Sequence, residues 1–430
     1  VSGTGLGCRP EQLLGNSILI ATHDQLETAL ALIALDGIAR RLVICPPGVP
    51  DEHLLSVIEA AEIDTVVSDS HTQRSGTAGV PVQVTCSAAI RPGTAVAGHR
   101  HTEWVLLTSG TSGRPKMICH SFASLTAAIK RSATLPNEVI WGTFYDIRRY
   151  GGLQIFLRWL LGNGSFVISS VDEPMEGYLV RLGAHHATHV TGTASHWRSA
   201  LWSRSVAAIT PRYVRLSGEI ADQALLDSLR SQFPNAGISH AFASTEAGVC
   251  FAVIDGREGF PATFIGTRGD VELKIKDNSL RIRSPGCAVG HIGGGGVPLT
   301  DAEGFVDTGD IVQLCGDRYY FLGRANGVIN VGGLKVHPEE VEAVINRHAD
   351  VGMSRVRPRK NPILGFVVTA EVVLKTRTDP HVSSERNALV KREILQLCAR
   401  GLAPHKIPVT LEFVSTLDIV PTGKMARRNE

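Results

Sequence analysis

The chain has 430 residues, 43% hydrophobic and 20% charged, and its 43 Lys and Arg against 41 Asp and Glu leave a formal net charge of +2. A single core stops growing at roughly 250–300 residues, so two or more domains are expected. Near-neutrality argues against nucleic acid or another polyanion as partner, and no apolar run approaches the ~20 residues of a membrane span. The eight cysteines (Cys8, Cys45, Cys86, Cys119, Cys250, Cys287, Cys315 and Cys398) are scattered without a C-x-x-C pair. That spacing points to a reduced, cytoplasmic protein rather than a disulfide scaffold or zinc module. The first sixteen residues lack the basic end and apolar core of a signal peptide, and the chain opens on Val1, which reads as a trimmed or partial start.

In chain order, residues 17–100 alternate strands and helices. Strands are expected at 17–21, 41–45 and 65–67. Helices are expected at 24–40, where Leu26, Leu30, Leu32, Ile33 and Leu35 share helical spacing, and at 54–61. This order implies a parallel sheet covered by helices. Residues 104–107 read as a buried strand, and the apolar spacing of 117–133 predicts a helix. The alternation then repeats, with strands at 139–145, 165–169, 188–191, 213–216 and 237–243 between helices at 151–161, 179–182, 195–203 and 222–232. The texture changes after Cys250. Residues 268–283 read as a hairpin turning at Asp277-Asn278, 293–296 as a flexible glycine loop, and 319–324 as a short strand. From about residue 327 a small α+β unit is expected, with helices at 338–347 and 384–399 and strands at 365–374 and 409–414.

Between the strand at 104–107 and the expected helix lies Thr108-Ser109-Gly110-Thr111-Ser112-Gly113-Arg114-Pro115-Lys116. Glycines allow close backbone approach to an anion, successive amides can form an anion-binding nest, and the hydroxyls and lysine add donors. The stretch is not a standard P-loop: Pro115 precedes the lysine and Met117 follows it, where that motif has Gly and a Mg²⁺-ligating Ser or Thr. A grip on nucleotide phosphates and a plain polar turn both fit it alone.

Four more stretches decide between them. Phe242-Ala243-Ser244-Thr245-Glu246, Asp307-Thr308-Gly309-Asp310, the run from Gly323-Arg324 to Glu342, and Val420-Pro421-Thr422-Gly423-Lys424 follow in order. With the 108–116 loop they resemble the motifs of the adenylate-forming superfamily of acyl-CoA synthetases, luciferases and peptide-synthetase adenylation domains. The resemblance implies an α/β fold. A large N-terminal domain (residues 1–323) would combine αβα-type sheets with a small β subdomain. A small mobile α+β C-terminal domain (324–430) would follow.

It also implies the chemistry. A carboxylate attacks the α-phosphorus of ATP to give an acyl-adenylate and pyrophosphate, and the acyl group passes to a thiol. Thr108, Ser109, Gly110, Thr111, Ser112, Gly113 and Lys116 would hold the outer phosphates. Thr245 would bond the α-phosphate, Glu246 would hold Mg²⁺, and Phe242 would stack on adenine beside Ala243 and Ser244. Gly218 and Glu219 match the adenine-contacting turn or a plain strand end. Asp310 would accept from the ribose hydroxyls, Arg324 would support ribose or phosphate, and Lys424 would bridge carboxylate and α-phosphate.

The sequence departs from the family pattern in places. Phe242 stands where Tyr is usual. Asn326 replaces the charged hinge residue, although Asn and the adjoining Gly327 tolerate unusual backbone angles. Asp418 replaces a Pro, and the N-terminal subdomain begins late. Gly332 and Gly333 match the passage of a pantetheine arm, and Lys335 is a candidate contact for CoA phosphates. Asp146, Tyr150, Gly151, Thr191 and Gly192 are candidate acyl-pocket residues. Asp146 would hold a substrate amino group or form a local salt bridge with Arg148 or Arg149, either of which could instead pair with a second substrate carboxylate. His185, His186, His189 and His196 lack the Cys or Asp that would complete a zinc site.

The resulting expectation is an AMP-forming acyl-CoA synthetase acting on a small carboxylic acid. A stand-alone adenylation enzyme loading an acyl carrier protein's phosphopantetheine, and a non-catalytic nucleotide-binding relative, are the alternatives.

Overall fold

The computed structural model describes residues 3–69, 75–92, 100–108, 115–129, 139–162, 164–170, 172–293, 298–375, 383–420 and 423–426. The first sheet collects β1 (Gly3–Leu6), β2 (Ser17–Ile20), β3 (Arg41–Ile44), β4 (Thr65–Ser68), β5 (Val82–Pro92), β6 (Glu103–Thr108) and β7 (Lys116–Ser121), with α1 (Gln25–Leu35) and α2 (Asp51–Ala60) as crossovers. The parallel order is β5-β4-β2-β3-β6, and β1 and β7 add antiparallel at its two sides. Parallel strands need both faces covered. Accordingly Ile18 and Ile20 enter one core while Leu19 and Ala21 enter the other.

The expected helix at 117–133 is a strand first. Residues 116–121 pair with β6, Thr108 facing Lys116, and only α3 (Phe122–Thr126) is helical among the described residues of that span. A two-sided buried strand is apolar at most positions, so its spacing mimics a helix face. The physical arbiter is the open edge of β6, which β7 pairs. The 108–116 loop therefore connects two antiparallel strands. The sequence reading also overlooked β1 and β5.

The second sheet has the order β13-β12-β11-β10-β8-β9. Its strands are β8 (Ile140–Thr143), β9 (Ser165–Val167), β10 (His189–Gly192), β11 (Tyr213–Ser217), β12 (Gly237–Ser244) and β13 (Gly248–Val253), all parallel except β13. Helices α4 (Tyr150–Leu160), α5 (Met175–Ala184), α6 (Ala194–Trp202) and α7 (Gln223–Gln232) connect them. Val190, Val214 and Leu216 pack on α5, α6 and α7. On the other side α4 sends Leu153, Phe156 and Leu157 into a core of the first sheet. The turns into helices are chemically marked: Thr193 caps α6 at His196 N (3.0 Å) and Asp222 caps α7 at Leu225 N (3.0 Å).

A third, antiparallel sheet runs through β14 (Phe260–Pro261), β15 (Gly266–Arg268), β16 (Val271–Lys276), β17 (Ser279–Arg283), β19 (Val306–Cys315) and β20 (Arg318–Arg324), while β18 (Gly290–Ile292) pairs with β7 of the first sheet. Asp277 and Asn278 both have positive φ, 52° and 59°, as the β16–β17 turn requires. The glycine loop expected at 293–296 lies outside the described residues except Gly293.

The C-terminal unit holds β21 (Ile329–Val331), β22 (Leu334–Val336), α8 (Pro338–Ile345), β23 (Val351–Asn361), β24 (Gly365–Leu374), α9 (Ser383–Gly401) and β25 (Thr410–Phe413). Val336, Val341, Ile345, Val368, Ile394 and Cys398 form its own core. It rests on α6 and α7: Asn346 Nδ2 donates to Asp222 Oδ2 (3.2 Å), and Arg198 binds both Asp222 and the Gly352 carbonyl. A Cβ on Gly352 would lie 2.0 Å from the Trp202 ring. Among the described residues no helix is long and apolar enough to cross a membrane.

Arg148 joins the two halves of the N-terminal region. It is fully buried, grips both oxygens of Asp146 (2.8 and 2.7 Å), and donates to the carbonyls of Thr22 (2.8 Å) and His23 (2.7 Å). Arg148→Met leaves Asp146 and two carbonyls without their donor. It is expected to destabilise the fold by about 3–5 kcal/mol, and an unchanged urea midpoint would contradict this role.

Candidate active site

The C-terminal motif forms a tight turn. Val420 N donates to Lys424 O and Gly423 N to Val420 O, both at 2.8 Å, with Gly423 at φ 74°. This turn inserts at the carboxyl end of the second sheet. Thr193 Oγ1 donates to Gly423 O, Met425 N donates to Glu219 Oε1 (2.9 Å), and the His196 ring lies against Gly423. The Lys424 side chain therefore enters a cleft beside Gly218, where a Cβ would sit 3.6 Å from its Cε. Its side chain is exposed. Desolvation pushes its pKa below the ordinary lysine value. Glu219 opposes the shift, Arg324 adds to it, and Asp310 and Glu246 oppose it.

Glu219 is held by protein. Its oxygens accept from Ser195 N (2.7 Å), Ser195 Oγ (3.0 Å) and Met425 N. It thus clamps the Lys424 turn to the start of α6. Asp310 and Arg324 are register partners on β19 and β20, with Arg324 Nε 3.5 Å from Asp310 Oδ1 and Nη2 2.8 Å from Thr308 O. Burial raises the pKa of Asp310, while Arg324 and then Lys424 lower it.

Thr245 and Glu246 form the turn between β12 and β13. Ser244 Oγ accepts from Ala247 N (3.0 Å), and the Glu246 carbonyl accepts from Ala288 N (2.9 Å). The Glu246 carboxylate has no hydrogen bond or ion pair among the described residues. The Phe242 ring, following on from Ala241 and preceding Ala243, runs nearly parallel to Phe251 and Phe321, with centroids 5.7 and 5.4 Å away. It is partly exposed. Lys116 opens β7 with an exposed side chain opposite Thr108. Ser109, Gly110, Thr111, Ser112 and Gly113 lie outside the described residues.

One tie was missed in the sequence. His120, fully buried on β7, places Nε2 2.7 Å from Thr245 O and Nδ1 3.0 Å from Ser124 Oγ. Burial lowers its pKa, so the ring is neutral and Nε2 donates. It locks the Thr245 turn to the strand that follows the 108–116 loop. A lone histidine in an apolar run carries no spacing signal for that contact.

The pocket candidates separate. Asp146 pairs with Arg148, so of the two alternatives the local salt bridge is the arrangement present. Thr191 is fully buried and donates to Thr143 Oγ1 (2.7 Å), and Gly192 packs on Phe144. Tyr150 is buried and stacked on His120 at 5.6 Å. Gly151 faces Tyr145, whose hydroxyl donates to Ser217 O (2.7 Å). Gly332 and Gly333 turn β21 into β22 with positive φ, 57° and 87°, and Lys335 on that hairpin is exposed. His189 lies between Trp141 and Tyr213 rather than on a helix with His185, and the described residues hold no group of three metal-ligating side chains.

Comparison with known proteins identifies the family and the fold. The profile described as AMP-binding enzyme matches residues 6–296, and that of the AMP-binding enzyme C-terminal domain matches 340–424. A mitochondrial acyl-coenzyme A synthetase of Homo sapiens is 27% identical over 359 residues, covering 77% of this chain and 61% of the relative. The chain thus spans under two thirds of that relative's length. A 2-succinylbenzoate–CoA ligase of Salmonella typhimurium is 26% identical, covering 83% of this chain and 76% of the relative. The crystal structure of an anthranilate CoA ligase in complex with anthranoyl-AMP superposes with a TM-score of 0.79 at 18% identity, covering 96% of this chain and 86% of that one.

Desolvation lowers the pKa of His196 to about 4. The unfolded or undocked ring titrates near 6.5. The neutral ring therefore favours the docked state, and that contribution is lost as pH falls from about 6.5 through 4. Trp202 fluorescence, which reports contact with Gly352, is expected to change over that window and to lose this component in His196→Leu. Gly423→Ala is expected to undock the turn, because its Cβ would lie 2.0 Å from His196 Cε1. Unchanged protease protection of the C-terminal turn would contradict that.

Proposed function

The chain belongs to the AMP-binding enzymes, and from that premise we propose that it activates a small carboxylic acid with ATP and transfers the acyl group to the thiol of CoA. The observation that carries this reading is the Lys424 turn, docked so that its ammonium shares one cleft with the Thr245–Glu246 turn and the Asp310–Arg324 pair. Both reactants are anions, so the barrier is lowered mainly by alignment and charge neutralisation. The carboxylate oxygen bonds to the α-phosphorus as the bond to pyrophosphate breaks, and Lys424 follows the negative charge between them. The proposed domains meet at residues 323 and 324, beside the short turn Ala325–Gly327.

The remaining roles follow from placement. Thr108, the glycine-rich loop and Lys116 would hold pyrophosphate. Thr245 would hold the α-phosphate, Phe242 the adenine, and Asp310 the ribose. Mg²⁺ fits at Glu246, whose carboxylate lacks a protein partner among the described residues, since this cation prefers one carboxylate plus phosphate oxygens and water. When bound it would supply positive charge to the phosphates. For the second step Gly332, Gly333 and Lys335 would meet the pantetheine arm and phosphates of CoA. The eight cysteines are free thiols, which favours a cytoplasmic setting.

Carboxylate-dependent ATP–pyrophosphate exchange tests the first step. Thioester formation with free CoA, set against an acyl carrier protein, tests the acceptor. Lys424→Ala should lower adenylate formation by about 10²–10³-fold, whereas Lys116→Ala should chiefly raise KM for ATP. Equal, purely KM-type effects from both would contradict that division of labour. Because desolvation lowers the Lys424 pKa, the adenylation rate should fall on an alkaline limb below pH 10.5.

A further inference from the structure

Thr193, Glu219 and His196, which hold the Lys424 turn at Gly423 and Met425, all lie in the N-terminal region. A further bond reaches the turn from the other side. Arg355 Nη1, on β23, donates to the Ala426 carbonyl at 3.3 Å, and Ala426 N donates to Asp418 O at 3.0 Å. The turn is therefore bracketed. Met425 is held to the end of the second sheet, and Ala426 is held to the sheet of the C-terminal unit.

Arg355 is aimed at Ala426 by its neighbour across the ladder. It is only 5% exposed and stands in register with Glu371 of β24, whose Oε2 accepts from its Nε at 2.7 Å. A guanidinium is a rigid planar fork, so fixing Nε on Glu371 also fixes the direction of Nη1. A lysine at this position would carry the charge without the fork. Glu371 has a second cation, since Arg357 Nε lies 3.6 Å from the same oxygen. The acid thus keeps a counter-charge when Arg355 is replaced, and the loss falls mainly on the Ala426 carbonyl.

The same stretch of β23 carries the dock between the two units. Gly352 packs on the Trp202 ring, and its carbonyl accepts from Arg198 Nη1 at 3.4 Å. Ser354 Oγ donates to Asn346 Oδ1 at 2.9 Å, and Asn346 Nδ2 donates to Asp222 Oδ2 at 3.2 Å. Residues 352–355 therefore join α6, the cap of α7 and the Lys424 turn in one short segment. We propose that Arg355 is a positioning residue for adenylate formation, setting the reach of the Lys424 ammonium by tying Ala426 to the docked strand β23. The proposal rests on the role given to Lys424 above. A turn released at Ala426 is free to pivot about Met425, and misplacing a reacting group by about 1 Å costs on the order of 10²-fold.

The test is carboxylate-dependent ATP–pyrophosphate exchange. Arg355→Met should lower kcat by about 10–100-fold. KM for ATP should stay within about threefold, because the residues that hold the phosphates are untouched. Arg355→Lys should recover only part of the rate. Arg357→Met, which removes the other partner of Glu371, should keep kcat within about threefold of wild type. A loss confined to KM, or an equal loss of kcat in Arg357→Met, overturns the proposal.

Hydrogen exchange of the ligand-free full chain keeps the two readings apart. Arg355→Met should speed exchange at Met425 and Ala426 by about tenfold or more, while the β24 core around Val368 and Val372 keeps its protection. Unchanged exchange in the turn overturns the proposal. So does equal loss of protection in turn and core, which would mark Arg355 as a general support of the fold. If no acid of any class supports pyrophosphate exchange, the ligase reading fails. The turn-specific change in exchange still decides whether Arg355 holds the lysine turn, and its absence overturns that.

Discussion

The arrangement depends on bringing one ammonium, Lys424, beside Gly218 at the carboxyl end of the second sheet. Among the described residues its own side chain forms no ion pair at contact distance. Backbone contacts of its turn hold it there: Gly423 O on Thr193, Met425 N on Glu219, and Gly423 against the His196 ring. Such a placement separates holding from reacting. Glu219, already saturated by Ser195 and Met425, fixes the turn, and the lysine charge is left for anions that enter the cleft.

The two sheets supply the rest because their carboxyl ends meet. The first contributes the β6–β7 loop, and the second contributes the ends of β11 and β12 and the start of α6. Open α/β sheets place ligands there because loops rather than strands control the chemistry. His120 and Arg148 make the two sheets one scaffold, the first by locking Thr245 to β7 and the second by tying the loop before α4 to the end of β2. Both ties are buried and polar, so each specifies geometry that apolar packing alone would leave adjustable.

Most of the deeply buried arginines are balanced by an acid. Where arginine serves structure, a carboxylate is beside it, as for Arg148, Arg198, Arg318 and Arg355. Arg149 differs from them in having a buried Nε without a hydrogen-bond partner among the described residues.

The sequence by itself determined the chemistry-bearing turns and the α/β class. The loop at 108–116, the Thr245–Glu246 turn, Asp310 and Lys424 are local stretches whose order along the chain carries the family resemblance, and the strand–helix alternation of 17–61 and 188–243 follows from short-range apolar spacing. Long-range pairing escaped it. Residues 116–121 are a strand because β6 offers an open edge, and β5, β19 and β23 emerge from pairing partners distant in sequence. Asp146 reads equally as ligand or ion-pair member until Arg148 is seen gripping it. Only tertiary structure decides such cases, because whether a charge is paired depends on which face of which element it meets, and that is set by packing rather than by neighbours along the chain.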